Sequence, residues 1–216
     1  GQDRTFHVSH VLVATGRRPN TAGIGATEAG IELDRRGAID IDEQLRTTNP
    51  KVFAAGDCTS APQFVYVAAH QGATAADNAL RGDAKKIDFR GMPRITFTSP
   101  QIASAGLTEA QARDAGHELK TTVMPLTAVP RALVNRDTRG LIKIVVDAAT
   151  DKILGVHILS EASGEVIQAA VYAIKFGFTV ADVTETWAPY LTFAEGLKLA
   201  AQTFTRDVAK LSCCAA

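Results

Sequence analysis

The sequence predicts an α/β segment followed by a separate α+β unit, and three observations support this fold class. Residues 52–58 are apolar up to a Gly-Asp turn, and an alanine-rich stretch with helical spacing covers residues 64–80. Residues 84–92 are polar and basic, which indicates a boundary between structural units. From Pro93 onward, strand-like runs come first and helical patterns follow, which is typical of an antiparallel sheet covered by helices.

The composition is typical of a soluble globular protein. The 216 residues are 46% hydrophobic and 21% charged, and 23 basic side chains balance 23 acidic ones, so nothing indicates nucleic acid or an anionic membrane as a partner. No apolar run is long enough to cross a bilayer, and the start carries no export signal, so we expect a cytoplasmic protein. The chain starts at Gly1 and enters a strand-like run directly, which predicts a fragment of a longer protein.

In the first segment, the apolar run at residues 5–14 predicts a buried strand that ends at a Gly-Arg-Arg-Pro-Asn turn. Alternation predicts a second, short strand at residues 37–42. Within residues 52–58, the apolar residues before the Gly56-Asp57 turn predict a third, buried strand, and residues 64–80 predict a long helix that ends at Gly82.

In the second segment, apolar runs predict strands, and amphipathic runs bounded by Thr or Gly predict helices. The predicted strands are residues 95–97, 120–125, 141–147 and 153–159, of which the last two form a hairpin. The predicted helices are residues 108–116 with a capping box at Thr108, residues 163–176, a short helix after Thr179, and residues 195–207.

The turn at Gly56 and Asp57 is a candidate ligand site. A strand would carry the carboxylate to its end, Gly56 would let a ligand approach the backbone, and the next helix would offer free N–H groups. Nucleotides bind at such places in α/β folds. The alternative is an ordinary strand–loop–helix with a solvated Asp57. Arg17 and Arg18 likewise either reach a phosphate or are simply solvated.

The vicinal pair Cys213-Cys214 is the most unusual feature of the C-terminal segment. With Cys58 it makes three cysteines, which are too few for a secreted disulfide framework. Adjacent thiolates can hold a soft ion such as Hg(II), Cu(I) or Zn(II), or close a strained disulfide. The alternative is an incidental Cys-Cys in a frayed tail.

A phenol and a carboxylate, Tyr190 and Glu195, form a third candidate site in an aromatic-rich segment before the last predicted helix. Glu195 near a helix N-terminus is favourable through the helix dipole alone, so the alternative for this residue is a structural role. Tyr190 can equally be a packed aromatic whose hydroxyl finds a hydrogen-bond partner.

Two motifs together, Ala-Thr-Gly-Arg-Arg-Pro-Asn at residues 14–20 and Ala-Ala-Gly-Asp at residues 54–57, resemble those of the FAD-dependent pyridine nucleotide–disulfide oxidoreductases. The resemblance covers essentially the whole chain and implies the C-terminal part of a FAD- and NAD(P)-linked reductase. The domains that it implies are residues 1–19 as the end of the NADPH-binding domain, 20–90 as the second segment of the FAD-binding domain, and 91–216 as the dimerisation domain.

The cofactors that the resemblance implies are FAD and NADPH. Asp57 would hold the ribityl chain of the flavin, and the backbone of residues 64–66 would lie close to its ring system. The cofactor-binding residues implied in this way are Gly16, Arg17, Gly56, Asp57, Phe64, Val65 and Tyr66.

The C-terminal segment departs from the general family pattern. Tyr190 stands five residues before Glu195, where related enzymes carry the His of a His-Pro-Thr-x-x-Glu motif. With the Cys213-Cys214 pair, this departure resembles the branch of the family that reduces Hg(II) to Hg(0) in mercury detoxification. The resemblance implies a homodimer through residues 91–216, Tyr190 and Glu195 as catalytic residues, and a tail dithiol that passes Hg(II) to the partner subunit.

Two elements that this chemistry needs are absent from the sequence. No Gly-x-Gly-x-x-Gly stands at a strand–helix junction, and no Cys-x4-Cys redox pair occurs. We therefore expect the chain alone to be inactive without an N-terminal half. The alternatives are a non-catalytic module for dimerisation and soft-metal binding, or another flavin disulfide reductase of the same family.

Overall fold

The structure is a computed structural model that describes residues 3–208. These residues fall into two compact units, one ending at Ile87 and the other beginning at Asp88. The expected fold class, an α/β segment followed by an α+β unit, is confirmed. Among the described residues, no helix is both long enough and apolar enough to span a membrane.

The first unit is built around one long helix, α1, at Val65–Arg81. It ends where Gly82 turns into the left-handed region at φ +70°, as the sequence predicts. A short 3-10 turn at Gly56–Cys58 precedes the helix. Isolated β-bridges fasten the long loop before it, and they pair Leu33 with Ile39, Ile39 with Thr59, and Arg46 with Phe53.

The three strands expected in the first unit are not formed as such. Residues 5–14 carry no strand and their side chains are exposed, so the prediction of a buried strand there is wrong. A strand is stabilised by hydrogen bonds to a neighbouring strand, and no described segment pairs with this one. The segments at residues 37–42 and 52–58 are reduced to the bridges of Ile39 and Phe53.

The second unit is a five-stranded antiparallel sheet with strand order β1-β2-β5-β4-β3. Its strands are β1 at Pro93–Thr96, β2 at Gln101–Gly106, β3 at Leu119–Pro125, β4 at Leu141–Asp147 and β5 at Ile153–Ser160. Its helices are α2 at Glu109–Asp114, α3 at Pro130–Asn135, α4 at Ser163–Phe176, α5 at Val180–Glu185 and α6 at Glu195–Gln202.

The core of the second unit lies between the sheet and the helices α4 and α6. Alternate residues of β4, Ile142, Ile144 and Val146, are buried in it, because successive side chains of a strand point to opposite faces. Ile167 of α4 and Leu197 of α6 belong to the same cluster. The hydrophobic effect on this one face therefore holds the sheet and both helices together.

Sequence signals explain most helix boundaries in this unit. Thr108 and Thr179 each form a capping box, with Gln111 and Asp182 respectively, and α4 ends at Gly177 in the left-handed region. Three features differ from expectation. Strand β2 and helix α3 were not predicted, and α6 ends at Gln202 instead of continuing to residue 207.

Candidate functional site

The turn at Gly56 is fixed against helix α1. Its φ of +80° lies in the left-handed region, and a Cβ at this position would meet the Ala68 Cβ at 3.0 Å. The Gly56 N–H donates to Oε1 of Gln71 at 2.7 Å, and Gln71 is fully buried. The position therefore demands glycine, for its backbone angle and for the close approach of α1.

Asp57 and Arg17 form an ion pair beside this turn. The guanidinium of Arg17 also donates to the Gln63 carbonyl at 3.1 Å, and the Gln63 amide donates to the Asp57 carbonyl at 3.3 Å. Gly16, at φ +76°, turns the chain just before Arg17. The pair uses Oδ2 of Asp57, and no described donor reaches Oδ1, so one carboxylate oxygen is available to a ligand.

The start of α1 presents apolar side chains directly after Gln63, which contacts both Arg17 and Asp57. Phe64, the N-cap residue, makes no side-chain capping bond, and its ring stacks on Tyr66 with 5.2 Å between ring centroids and 11° between planes. Val65 between them is 87% exposed. A carboxylate oxygen, a helix N-terminus and an exposed aromatic stack together suit a ligand that has both a polar chain and a flat ring.

A cavity of about 640 Å³ is lined in part by Arg17 and Gln63. Its lining includes Arg17, Arg18, Arg35 and Arg36, together with residues 59–63. The sequence indicated a phosphate contact for Arg17 and Arg18 only. The proximity of Arg35 and Arg36 could not be read from the chain, because these residues lie in a loop whose course depends on isolated bridges.

In the second unit, Tyr190 lies in the loop before α6 and Glu195 is the first residue of that helix. Glu195 is only 3% exposed, and its Oε2 accepts the Leu191 N–H at 3.1 Å. Leu191 has φ +60°, which is unfavourable for a residue with a side chain. The Thr192 hydroxyl donates to the Pro189 carbonyl at 2.9 Å. These bonds hold the loop in a shape that leaves Tyr190 64% exposed.

Apolar surface adjoins this loop. Trp187 is 94% exposed, and a cavity of about 220 Å³ lies beside it, lined mainly by apolar side chains that include Phe178 and Leu197. On the same unit, the α4 residues Tyr172 and Phe176 are also exposed. Of these side chains, Trp187 adjoins an apolar cavity, and an exposed apolar patch of this kind is typical of a surface that another protein covers.

The expected site residues thus fall into three groups. Those assigned to cofactor binding lie together in the first unit, whereas Tyr190 and Glu195 lie in the second, in the loop before α6 and at the start of that helix. Cys213 and Cys214, the expected metal ligands, lie outside the described residues. Within residues 3–208, no group of three or more His, Cys, Asp or Glu side chains could hold a metal ion.

Sequence reasoning did not predict that two residues of the first unit, Gln63 and Gln71, fix the turn through hydrogen bonds. One signal could have revealed Gln71. It occupies the stripe of α1 that also buries Val67, Ala75 and Asn78, and a polar residue in such a stripe implies a buried hydrogen-bond partner. No comparable signal exists for Gln63, which acts from an irregular loop.

Comparisons with known proteins agree with this architecture. The family model for the pyridine nucleotide-disulphide oxidoreductase dimerisation domain matches residues 92–201, and that for the pyridine nucleotide-disulphide oxidoreductases matches residues 1–72. A mercuric reductase of Staphylococcus aureus is 54% identical over 215 residues, and one of Streptomyces lividans is 55% identical over 213. These matches cover 100% and 99% of this chain, but only 39% and 45% of the relatives.

Solved structures give the same assignment. The flavoprotein disulfide reductase RclA of Escherichia coli superposes with a TM-score of 0.81 at 30% identity, over 93% of this chain and 48% of that one. LpdA of Mycobacterium tuberculosis gives a TM-score of 0.83 at 29% identity, over 92% and 43%. The chain therefore spans less than half the length of the proteins it resembles. It belongs to the pyridine nucleotide-disulphide oxidoreductase family.

Proposed function

We propose that this chain is the C-terminal portion of a mercuric reductase, an enzyme that reduces Hg(II) to Hg(0) with NADPH in mercury detoxification. The observation that carries the proposal is the similarity, from one end of the chain to the other, to proteins named mercuric reductase. The three domain assignments and a cytoplasmic location belong to the same proposal.

The residues around the Gly56 turn are proposed to hold FAD. Their character fits this cofactor, since one carboxylate oxygen of Asp57 has no described donor, and Gln63, which contacts both Asp57 and Arg17, directly precedes the stacked rings of Phe64 and Tyr66. When bound, FAD supplies the two-electron transfer that connects NADPH to Hg(II). Asp57 would accept a hydrogen bond from the ribityl chain, while Arg17 holds the carboxylate in place.

The tail pair Cys213-Cys214 is proposed to capture Hg(II), the substrate, as a dithiolate. Thiolates prefer soft ions, and two adjacent sulfurs suit an ion that favours two-coordinate geometry. Ligand exchange would then pass Hg(II) to a redox cysteine pair beside the flavin of the partner subunit. Exchange keeps two thiolates on the ion throughout, so Hg(II) is never released into water.

Tyr190 and Glu195 are proposed to act at the receiving end of this transfer. Tyr190 is 64% exposed, which suits a contact on a partner subunit. The carboxylate of Glu195 accepts a backbone N–H of Leu191. Glu195 would therefore act through the loop, as a positioning residue for Tyr190.

A homodimer through residues 91–216 completes the proposal. The dimerisation-domain match and the exposed side chains of Trp187, Tyr172 and Phe176 support it. Sedimentation of the wild-type chain should give a dimer, and Trp187→Ser should weaken association at least tenfold. The exposed but unclustered Leu80→Ser, in the first unit, serves as the control. A wild-type chain that stays monomeric at high concentration would contradict this part.

Stoichiometric titration with Hg(II) in the presence of a competing thiol tests the capture step. The wild-type chain should bind one equivalent tightly, and Cys213→Ala/Cys214→Ala should lose that binding by several orders of magnitude. Cys58→Ala is the matched control, because Cys58 is a half-buried thiol that donates to the Ala55 carbonyl. Equal affinity in the wild type and the double variant would remove the mercury assignment of the pair.

The absorption spectrum and an NADPH-oxidation assay address the reductase itself. We expect the chain alone to carry no tightly held flavin and to show no Hg(II)-dependent NADPH oxidation, because its sequence has neither nucleotide fingerprint nor redox cysteine pair. Activity should return on mixing with the N-terminal half of the enzyme. Thiol–disulfide turnover without mercury turnover in that mixture would favour a different flavin disulfide reductase of this family.

A further inference from the structure

The arginine cavity, lined by Arg17, Arg18, Arg35, Arg36 and residues 59–63, has a volume of about 640 Å³. We propose that it binds a small molecule through a phosphate or pyrophosphate group. The proposal rests mainly on Arg18, Arg35 and Arg36, none of which is assigned a flavin contact. It therefore stands whether or not the proposed reductase function is correct.

Charge balance is the first argument. Arg17 is paired with Asp57, and Arg36 has its nearest carboxylate, that of Asp34, at 3.9 Å. No described carboxylate lies within 4.0 Å of the guanidinium of Arg18 or Arg35. Because the whole chain carries no net charge, this local excess of positive charge is a property of the site and not of the composition.

The carboxylate nearest to the cavity is committed to the backbone. Oδ1 of Asp34 accepts the N–H of Arg36 at 2.7 Å and the N–H of Ala38 at 2.8 Å. These bonds, that from Ala38 above all, hold the pKa of Asp34 below its usual value. Asp34 thus shapes the tight turn that carries Arg35 and Arg36, and neutralises them only weakly.

Size and donor geometry are the second argument. A volume of about 640 Å³ lies in the range of small-molecule sites. A guanidinium presents a planar fork of N–H donors that matches two phosphate oxygens, so several such groups around one cavity favour an oxyanion with many acceptors. Gln63, part of the lining, lies just before α1, and the positive end of that helix dipole favours an anion in the same region.

Calorimetric titration of the chain with inorganic pyrophosphate at low ionic strength tests the site. We expect saturable binding, and at least tenfold weaker binding in Arg35→Gln/Arg36→Gln. The matched control is Arg90→Gln/Arg139→Gln in the second unit, which removes two exposed arginines that are each paired with a nearby aspartate. The control should bind as the wild type does. Absence of saturable binding, or equal weakening in both double variants, would overturn the proposal.

Asp57→Asn separates this site from the proposed flavin site. Loss of the carboxylate frees Arg17, so pyrophosphate should bind several-fold more tightly, whereas the flavin proposal requires that FAD binding, measured in the mixture with the N-terminal half, weaken. A loss of pyrophosphate affinity in this variant would contradict the charge argument. Loss of FAD binding alone would leave it intact.

Competition identifies the source of the phosphate. ADP that displaces pyrophosphate with comparable affinity would indicate the diphosphate of a nucleotide as the ligand. Pyrophosphate binding that ADP does not disturb would indicate a free inorganic anion. Binding of ADP that persists unchanged in Arg35→Gln/Arg36→Gln would overturn a role for these arginines.

Discussion

The two units of the protein differ in what fills their interiors. In the second unit, the largest fully buried side chains are aliphatic or methionine, and include Met124, Ile142, Ile144 and Ile158. In the first unit, the fully buried side chains of that size are Gln71 and Thr59, and both hydrogen-bond to Gly56. The large buried side chains of the second unit are thus apolar, whereas the first unit combines a smaller apolar set, which includes Ile39, Leu45 and Val67, with buried polar groups around its candidate site.

This difference teaches how the two units should respond to change. The stability of the second unit should not depend on a ligand, because its apolar side chains already pack against one another between the sheet and the helices. A hydrogen-bonded turn depends on a few geometrically exact contacts, and ligand groups can add to or replace them. We expect the second unit to act as a stable framework, and the first to gain stability when its site is filled.

The largest expected effect is that of Ile144→Ala in the core of the second unit. Removing a fully buried side chain there should lower the free energy of unfolding by about 2–5 kcal/mol, through lost transfer energy and the cavity left behind. Urea denaturation measures this loss. Val123→Ala, on the exposed face of the edge strand β3, is the control and should change stability by less than about 0.5 kcal/mol. Similar losses in both would show that packing does not dominate this unit.

The next effect is that of Gln71→Leu in the first unit. The substitution leaves the Gly56 N–H buried without an acceptor, which should cost about 1–3 kcal/mol of local stability. Hydrogen exchange at Gly56 and along residues 45–63 should accelerate, while the second unit keeps its urea midpoint. His70→Ala, an exposed neighbour on α1, should leave the exchange unchanged. Unaltered exchange in Gln71→Leu would show that the turn does not depend on this bond.

A smaller effect is expected from His157 on β5. Burial lowers the pKa of His157 below 6.5, and the positive charge of Lys143 acts in the same direction, against the hydrogen bond to the Leu107 carbonyl. The unfolded chain therefore takes up the proton first. The contribution of neutral His157 to the free energy of unfolding is fully present above pH 6.5. It is lost as pH falls from 6.5 through the lowered pKa of His157 in the folded state.

Urea midpoints of the second unit at pH 7.5 and pH 5 measure this dependence. His157→Gln should flatten the difference between the two midpoints, whereas His7→Gln, which alters an exposed residue of the first unit, should not. A wild-type midpoint that rises on acidification would refute the sign.

The smallest effect is expected from Asp147 at the end of β4. The pKa of Asp147 is lowered from 3.8 to about 2. The hydrogen bond from His117 is the largest cause, and those from Thr150 come next. The stability they confer is present above pH 3.8 and is lost as pH falls from there to about 2. Thermal melts between pH 5 and pH 2 should show this loss, and Asp147→Asn should reduce it. Asp151→Asn, in the same turn but exposed, is the control.

Sequence prediction was more accurate for the second unit, whose apolar strands and helices leave regular patterns in the sequence, than for the loops of the first. Strand β4 and helix α4 have the bounds that their apolar patterns and stop signals predict, because each element is stabilised by its own local pattern. Strand β2 escaped prediction, since its sequence Gln-Ile-Ala-Ser-Ala-Gly has little strand propensity and depends on β1 and β5 on either side.

The candidate site was less accessible to sequence reasoning. The motifs indicate Gly16, Arg17 and Asp57, and the structure brings Arg17 and Asp57 into contact across the loop that separates them. The cavity around Arg35 and Arg36 depends on how that loop folds, and its isolated bridges leave no repeating pattern in the sequence. Contacts between loop residues that are far apart in the sequence depend on the tertiary structure, and local sequence patterns do not predict them.

The bond between Gly56 and Gln71 has one more consequence. Gln71 lies well inside α1, so any ligand that shifts the turn must also pull on the middle of a long helix. The rate of amide hydrogen exchange in α1 would then show whether a ligand occupies the site at the Gly56 turn, before the N-terminus of the helix. A small displacement of Gly56 should therefore be measurable as a change in amide hydrogen exchange along α1.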